Sequence, residues 1–209
     1  MARPRSFDID DALAAATRVF LVHGFDGATL EDLTAAMGVN KPSLYAAFGD
    51  KSALYAKVLE GYGALALSGM ETALDAGETL EDAGRTLLRG AIDMYAPSRG
   101  DHLGCLVATT ATTAAGSSPA VRAVLAGFLS KVDLMIVAAI ARRFGDHLTE
   151  EGVASIGNVL SATMYSLAIR SRAGASRKQL SAIADRAMAT VAAVAQVEGR
   201  PSGAIRTAG

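Results

Sequence analysis

The most constraining stretch of the chain lies between residues 24 and 50, where helix-stopping glycines and helix-capping polar residues alternate at short intervals. Upstream, Ile9, Leu13, Ala16, Val19 and Phe20 recur at steps of three and four, which predicts a helix from about Asp8 to His23. Gly24 ends it, as glycine does just past a helix C-terminus. Thr29 is a good N-cap, with Asp32 three residues on, and Leu33 and Met37 give the next helix one apolar side before Gly38 breaks it. Asn40 then caps a third helix, with Pro42 in its first turn where a missing N–H costs nothing. Gly49 closes that helix and Asp50 opens a fourth, which runs past Met70. A helix, a short helix, a glycine turn and another short helix is the order of a helix-turn-helix domain.

The rest of the chain continues in helices. Thr79 opens one that Pro97 closes; another spans about 103–115; Ser118-Pro119 opens a long one striped by Val124, Phe128, Val132, Met135 and Ala139. Thr149 opens the eighth, and Ser176 with Gln179 makes a capping box for the ninth. The expected fold is therefore all-α: nine helices, an N-terminal helix-turn-helix domain over 1–50, a C-terminal helical domain over 51–198, and a tail over 199–209 without fixed structure. One cysteine, Cys105, excludes an internal disulfide and a thiolate metal cluster. Acidic residues stand where a signal peptide would place its apolar segment, and no uncharged apolar run approaches ~20 residues, so a cytosolic protein with no membrane partner is expected.

On a wheel of 100° per residue, Leu44, Ala47 and Phe48 gather on one side of the third helix. The other side centres on Ala46, flanked by Pro42, Ser43 and Tyr45, with Lys41 at its edge. A flat centre lets a helix backbone lie against base edges in a major groove; a lysine there reaches guanine, and the hydroxyls reach phosphates. Lys51 adds a cation one turn into the next helix, and Arg3 and Arg5 form an arm able to reach the flanking duplex. Bulk charge argues the other way. The chain has a net charge of −1, and its first sixty residues carry six cations against eight carboxylates. Short capped helices also serve in plain packing, so a helical protein-binding adaptor is the alternative reading.

Residues 24–59, GFDGATLEDLTAAMGVNKPSLYAAFGDKSALYAKVL, closely resemble the DNA-binding domain of the TetR/AcrR family of transcriptional regulators. The matching positions are Gly24-Phe25, Thr29, Leu33, Gly38-Val39, Leu44-Tyr45, Phe48, Lys51 and Leu54. The resemblance implies a homodimer whose third helices enter successive major grooves of a palindromic operator. It implies backbone contacts from Thr29, Tyr45 and Lys51, and a base-facing surface at Lys41, Pro42 and Ser43, next to the capping Asn40 and the flat Ala46. Ala46 and Ala47 are shorter than in many relatives, leaving few side chains to read sequence. The resemblance also implies a small-molecule effector held in the second domain.

Residues combining bulk with a polar handle are the candidate pocket: Met70, Met94, Tyr95, Thr109, Thr110, Phe128, Met135, Met164 and Tyr165. They carry no charge, so the expected effector is neutral and apolar. Apolar stripes over 149–172 and 176–197, with Gly157, Ser161, Ala162 and an alanine series allowing close approach, are the expected dimer surface. His102 and Cys105 offer two metal or redox ligands, which is short of a site, so no metal and no cofactor is expected. Three histidines and one cysteine without motif spacing supply no catalytic constellation, and the chain reads as a regulator rather than an enzyme.

Overall fold

The structure of the chain is a computed structural model that describes residues 7–98 and 101–199. Nine α-helices are found among the described residues: α1 (Ile9–Gly27), α2 (Leu30–Met37), α3 (Lys41–Phe48), α4 (Lys51–Ala76), α5 (Leu80–Tyr95), α6 (Leu106–Ala114), α7 (Pro119–Phe144), α8 (Glu150–Arg172) and α9 (Arg177–Val197). A single 3₁₀ turn, Gly145–His147, follows α7. The anticipated all-α class and helix order are the observed ones. Arg3 and Arg5, and the tail beyond Gly199, lie outside the described residues.

Each helix begins and ends for a local reason. Asp8 accepts from the backbone N–H groups of Asp10 and Asp11 at the start of α1. Gly24 takes φ +70°, so the regular helix stops at His23 and only one more turn follows. Thr29 and Asp32 form a complete capping box, and Ser176 and Gln179 form another. Where α2 ends, Gly38 is left-handed at φ +66° and the Val39 N–H reaches back to the Thr34 carbonyl, which closes the helix and turns the chain. α6 is shorter at its start than the sequence suggests, because Gly104 at φ +71° holds residue 104 in a loop and Cys105 caps without a side-chain bond.

The chain divides into two compact units. The first is residues 1–66 with 105–128, the second 67–104 with 129–209; α4 and α7 each run through both. The contact boundary thus falls inside α4, beyond the start of that helix at which the sequence places the end of the DNA-binding part.

In the first unit α1 packs on α2, and Ala12, Ala15, Ala16 and Phe20 of α1 are buried, as are Leu33 and Met37 of α2, Leu44 and Phe48 of α3, and Leu54, Tyr55, Val58 and Leu59 of α4. In the second unit α5, α8 and α9 form a three-helix packing filled by Leu87, Leu88, Ile92, Ile156, Leu160, Met164, Leu180 and Met188. Gly84 lets α5 come close: a Cβ there would stand 2.7 Å from Met188 Cε. The loop after α5 is tied down by Ser171 Oγ donating to Tyr95 O at 2.7 Å, by Arg172 donating to Leu103 O at 3.2 Å, and by Arg177 donating to Ala96 O.

Two expectations are corrected here. Gly157 and Ser161 point inward: a Cβ on Gly157 would meet Val137 of α7 at 2.5 Å, and Ser161 is buried. Their small size serves packing within the subunit. Second, three helices are long and apolar enough to cross a membrane by length and composition, namely Pro119–His147, Glu150–Arg172 and Arg177–Val197. Counting uninterrupted apolar runs missed them: charged residues cut the runs of α7 and α9, and Ser155, Asn158, Ser161, Thr163 and Ser166 cut those of α8, whose residues 152–169 hold no charge, while each helix average stays high. Those charges fall mid-length, at Lys131 and Asp133 in α7 and at Asp185 and Arg186 in α9, where each would cost about 2.5–3.5 kcal/mol in hydrocarbon.

Candidate nucleic-acid interface

The Asn40 side chain accepts from the Ser43 N–H at 2.8 Å, fixing the first turn of α3. Leu44 and Phe48 are buried beneath the helix, and Ala47 is half-buried. Lys41, Pro42, Tyr45 and Ala46 are exposed, Ser43 is half-buried, and Tyr45 keeps 47% of its surface in solvent. The face anticipated to be bare is bare. Apart from Tyr45 it is flat; in its first turn Pro42 has no N–H, and the N–H groups of Ser43 and Leu44 are bonded to Asn40, so the anion attraction of this end rests on the helix dipole.

Its charge is more constrained than the sequence indicates. Lys41 Nζ is paired with Glu31 at the start of α2. Each partner shifts the other, the Lys41 hydrogen bond holding the Glu31 carboxyl below the usual carboxylate range and Glu31 raising the ammonium. Lys51 Nζ lies 4.7 Å from the centre of the Phe25 ring, so its ammonium rests on an aromatic face at the front of α4. Thr29 donates its hydroxyl proton to Asp32 at 2.7 Å and accepts the Asp32 N–H at 3.0 Å. That commits its proton to the cap; contact with a phosphate needs the hydroxyl to turn.

Most carboxylates of this region sit at helix N-termini. Asp8, Asp10 and Asp11 open α1, Glu31 and Asp32 open α2, and Asp50 caps α4 by accepting the Ala53 N–H at 2.8 Å. The acidic balance is explained by helix capping and the helix dipole. It does not lie on α3, which has no acidic residue.

Tyr55 went unnoticed in the sequence. Fully buried, it stacks with Phe20 at 4.7 Å and Phe25 at 5.0 Å between ring centres. Its hydroxyl bonds Thr110 Oγ1 at 2.6 Å, while Thr110 donates to Leu106 O at 2.6 Å. An aromatic chain thus runs from beneath Lys51 to α6 inside one unit. The signal was present in the spacing of Leu54, Tyr55, Val58 and Leu59, but spacing alone does not say what a tyrosine hydroxyl bonds. Tyr62 also lies on α4, and burial, with the Cys105 thiol beside it, pushes its phenol well above the ordinary range.

The candidate effector residues are divided between the units. Thr109, Thr110 and Phe128 belong to the first; Met70, Met94, Tyr95, Met135, Met164 and Tyr165 belong to the second. Both threonine hydroxyls donate to carbonyls one turn back, Thr109 to Cys105 O at 2.6 Å, so neither offers a proton to a ligand without breaking that bond. Met70, Tyr95, Phe128 and Met164 are buried, Met135 and Tyr165 half-buried, and Met94 is 46% exposed. Met94 faces outward because Ala91, Ile92 and Tyr95 take the inner side of α5. His102 Nδ1 lies 3.2 Å from Ala175 O, and Cys105 is buried; no group of three potential metal ligands occurs among the described residues.

Residues 12–58, which contain most of α1, all of α2 and α3 and the start of α4, match the sequence family of bacterial regulatory proteins of the tetR type. Along most of its length the chain is 31% identical to the HTH-type transcriptional repressor BdcR of Escherichia coli K12, over 186 residues that make up 87% of this chain and 88% of that one. This chain belongs to the TetR family of bacterial regulators. A second relative, the transcriptional repressor ComR of the same organism, is 43% identical over 60 residues, 29% of each chain. Among solved structures, a cysteine mutant of the TetR family regulator CifR, complexed with 26-bp double-strand operator DNA, superposes with a TM-score of 0.80 at 30% identity, over 90% of this chain and 98% of that one. E. coli NemR in its reduced form, at 20% identity and a TM-score of 0.72, shares the fold. Within this TetR-family chain the family match begins ahead of residues 24–59, taking in the α1 face that packs beneath the turn.

Proposed function

We propose that this TetR-family chain is a DNA-binding transcriptional repressor, with a regulatory rather than an enzymatic role. Two copies hold a palindromic operator and let go when a small apolar effector binds. The observation that carries the reading is the outward face of α3, where Lys41, Pro42, Ser43, Tyr45 and Ala46 are presented while Leu44 and Phe48 anchor the helix. In this reading Lys41 and Ser43 face bases; Thr29, Tyr45 and Lys51 hold the phosphate backbone; the N-terminus of α3, set by Asn40, points at a phosphate. The likeness to CifR with its operator supports it.

A homodimer is needed, since recognition helices reading a two-fold site stand one DNA turn apart, about 34 Å. The second unit has the surface for it. On α8, Ala154, Asn158, Ala162 and Ile169 are exposed, and on α9, Arg186, Ala189, Ala193 and Val197 are exposed. Ile169 and Val197 leave 58% and 79% of their surface uncovered. These residues recur at helical spacing on the outer sides of two adjacent helices, a pattern that a second copy completes as a four-helix bundle. An effector that binds better to a different spacing of the recognition helices shifts the dimer away from the operator.

The test is selection of genomic fragments by the purified protein at low salt, followed by binding to the enriched site. A palindromic site should emerge, and Tyr45→Ala and Lys41→Ala should each weaken it by about tenfold or more while leaving the circular dichroism melt unchanged. Enrichment of no site, or indifference to both substitutions, would favour the adaptor reading instead.

A further inference from the structure

The second unit has a cleft that neither the operator nor the effector reading uses. It lies between α5 and α9, has a volume of about 230 Å³, and is lined by Arg85, Leu88, Arg89 and Ile92 of α5 and by Arg177, Ser181, Ala184, Asp185 and Met188 of α9. None of the sequence-derived effector candidates is among these residues. On both helices they form one flank, at steps of three and four. On α9 the buried lining residues Ala184 and Met188 lie on the opposite side of the helix from Ala193 and Val197, whereas Asp185 stands one turn before Ala189 on the same row.

The lining is chemically divided. Leu88, Ile92, Ala184 and Met188 are buried and make an apolar floor. Met188 is held there by Gly84, where any larger residue would collide with its sulfur and terminal methyl. Around the rim stand three guanidinium groups and one carboxylate. Arg85 is fully engaged, donating to Glu81 at 2.9 Å and to Asp185 at 3.0 Å. Arg177 is paired with Asp93 and donates to Ala96 O. Arg89 forms no ion pair among the described residues. The Asp185 charge is thus already answered by Arg85, and Arg89 keeps its fork of donors beside an apolar floor, with the Ser181 hydroxyl across from it.

We propose that this α5–α9 cleft binds a small amphipathic monocarboxylate, its carboxyl group on Arg89 and Ser181 and its hydrocarbon part over Leu88, Ile92, Ala184 and Met188. A planar guanidinium favours a carboxylate because it can donate two parallel hydrogen bonds. The volume is below the ~300–1,000 Å³ of pockets that enclose drug-sized ligands, which selects a short chain or a single ring. An anion is preferred over a cation because the unanswered rim charge is positive, and over an inorganic anion because the floor offers it nothing. The site is separate from that of the neutral effector proposed above, and its occupancy is measured without DNA.

Isothermal titration of the full chain with sodium octanoate, and with octan-1-ol as the uncharged control, tests the proposal. Octanoate should saturate one site per chain and bind more tightly than octanol. Arg89→Gln, at an exposed position where folding is not at issue, should weaken octanoate about tenfold and leave octanol unchanged. Asp185→Asn removes the only carboxylate among the lining residues and should tighten octanoate; Ser181→Leu should block both ligands. Absence of saturable octanoate binding up to about 10 mM, a millimolar Kd being only ~4 kcal/mol, would overturn the proposal. So would octanoate binding that survives Arg89→Gln and Ser181→Leu undiminished.

Discussion

Lys41 is the only cation on α3, and its pairing with Glu31 sets a cost on using it. Both side chains are largely exposed, so the pair contributes little stability, and that little is lost as pH falls through the lowered pKa of Glu31. Its consequence is for binding: a lysine that approaches a duplex must first leave a carboxylate, and that carboxylate then faces the phosphates. Glu31→Gln should therefore raise operator affinity several-fold and steepen the slope of log K against log salt by up to about 0.9. Fluorescence anisotropy over a potassium chloride series reads both quantities, and an unchanged slope would mean that removing the Glu31 carboxylate releases no further counterions from the duplex. The outward position of Lys41 was legible from the helical wheel. Glu31 as its partner was not, because the two residues are ten apart on different helices and the turn between them decides whether they meet.

At the scale of elements, the chain was most readable where a single residue sets a boundary. Thr29, Asn40, Asp50, Thr79, Thr149 and Ser176 each cap the helix they were expected to open, since a cap depends on atoms within three residues. Legibility failed where a face depends on a partner far along the chain. Gly157 looked like part of an outer seam until α7 was placed against it. Arg85, Arg89 and Arg177 share no local pattern in the sequence, though α5 and α9 bring them to one cleft from about ninety residues apart. The α3 cap has a measurable weight. Asn40→Ala leaves the Ser43 N–H without its acceptor and should cost about 1 kcal/mol. In a thermal melt this appears as a few degrees of lost stability. It should also weaken operator binding, because the frayed first turn carries Lys41 and Pro42.

For the whole molecule, the exposed alanines of α8 and α9 matter through their size. Small side chains let two copies bring helix backbones together, so a long charged residue in that seam should be far more damaging than its own solvation suggests. Ala193→Arg should shift sedimentation from dimer to monomer without changing the melt of the first unit. Operator affinity should fall by two orders of magnitude or more, since each half-site is then held alone. A variant that stays dimeric and binds normally would place the interface elsewhere.

The near-neutral outward face of α3 bears finally on numbers of molecules in a cell. A regulator's attachment to random genomic duplex is almost wholly electrostatic, and millions of such positions compete with one promoter. With a single lysine on that helix, already held by Glu31, this protein should be sequestered only weakly by the chromosome at large. Few copies would then suffice to keep a promoter occupied, and a small rise in inducer would be enough to empty it.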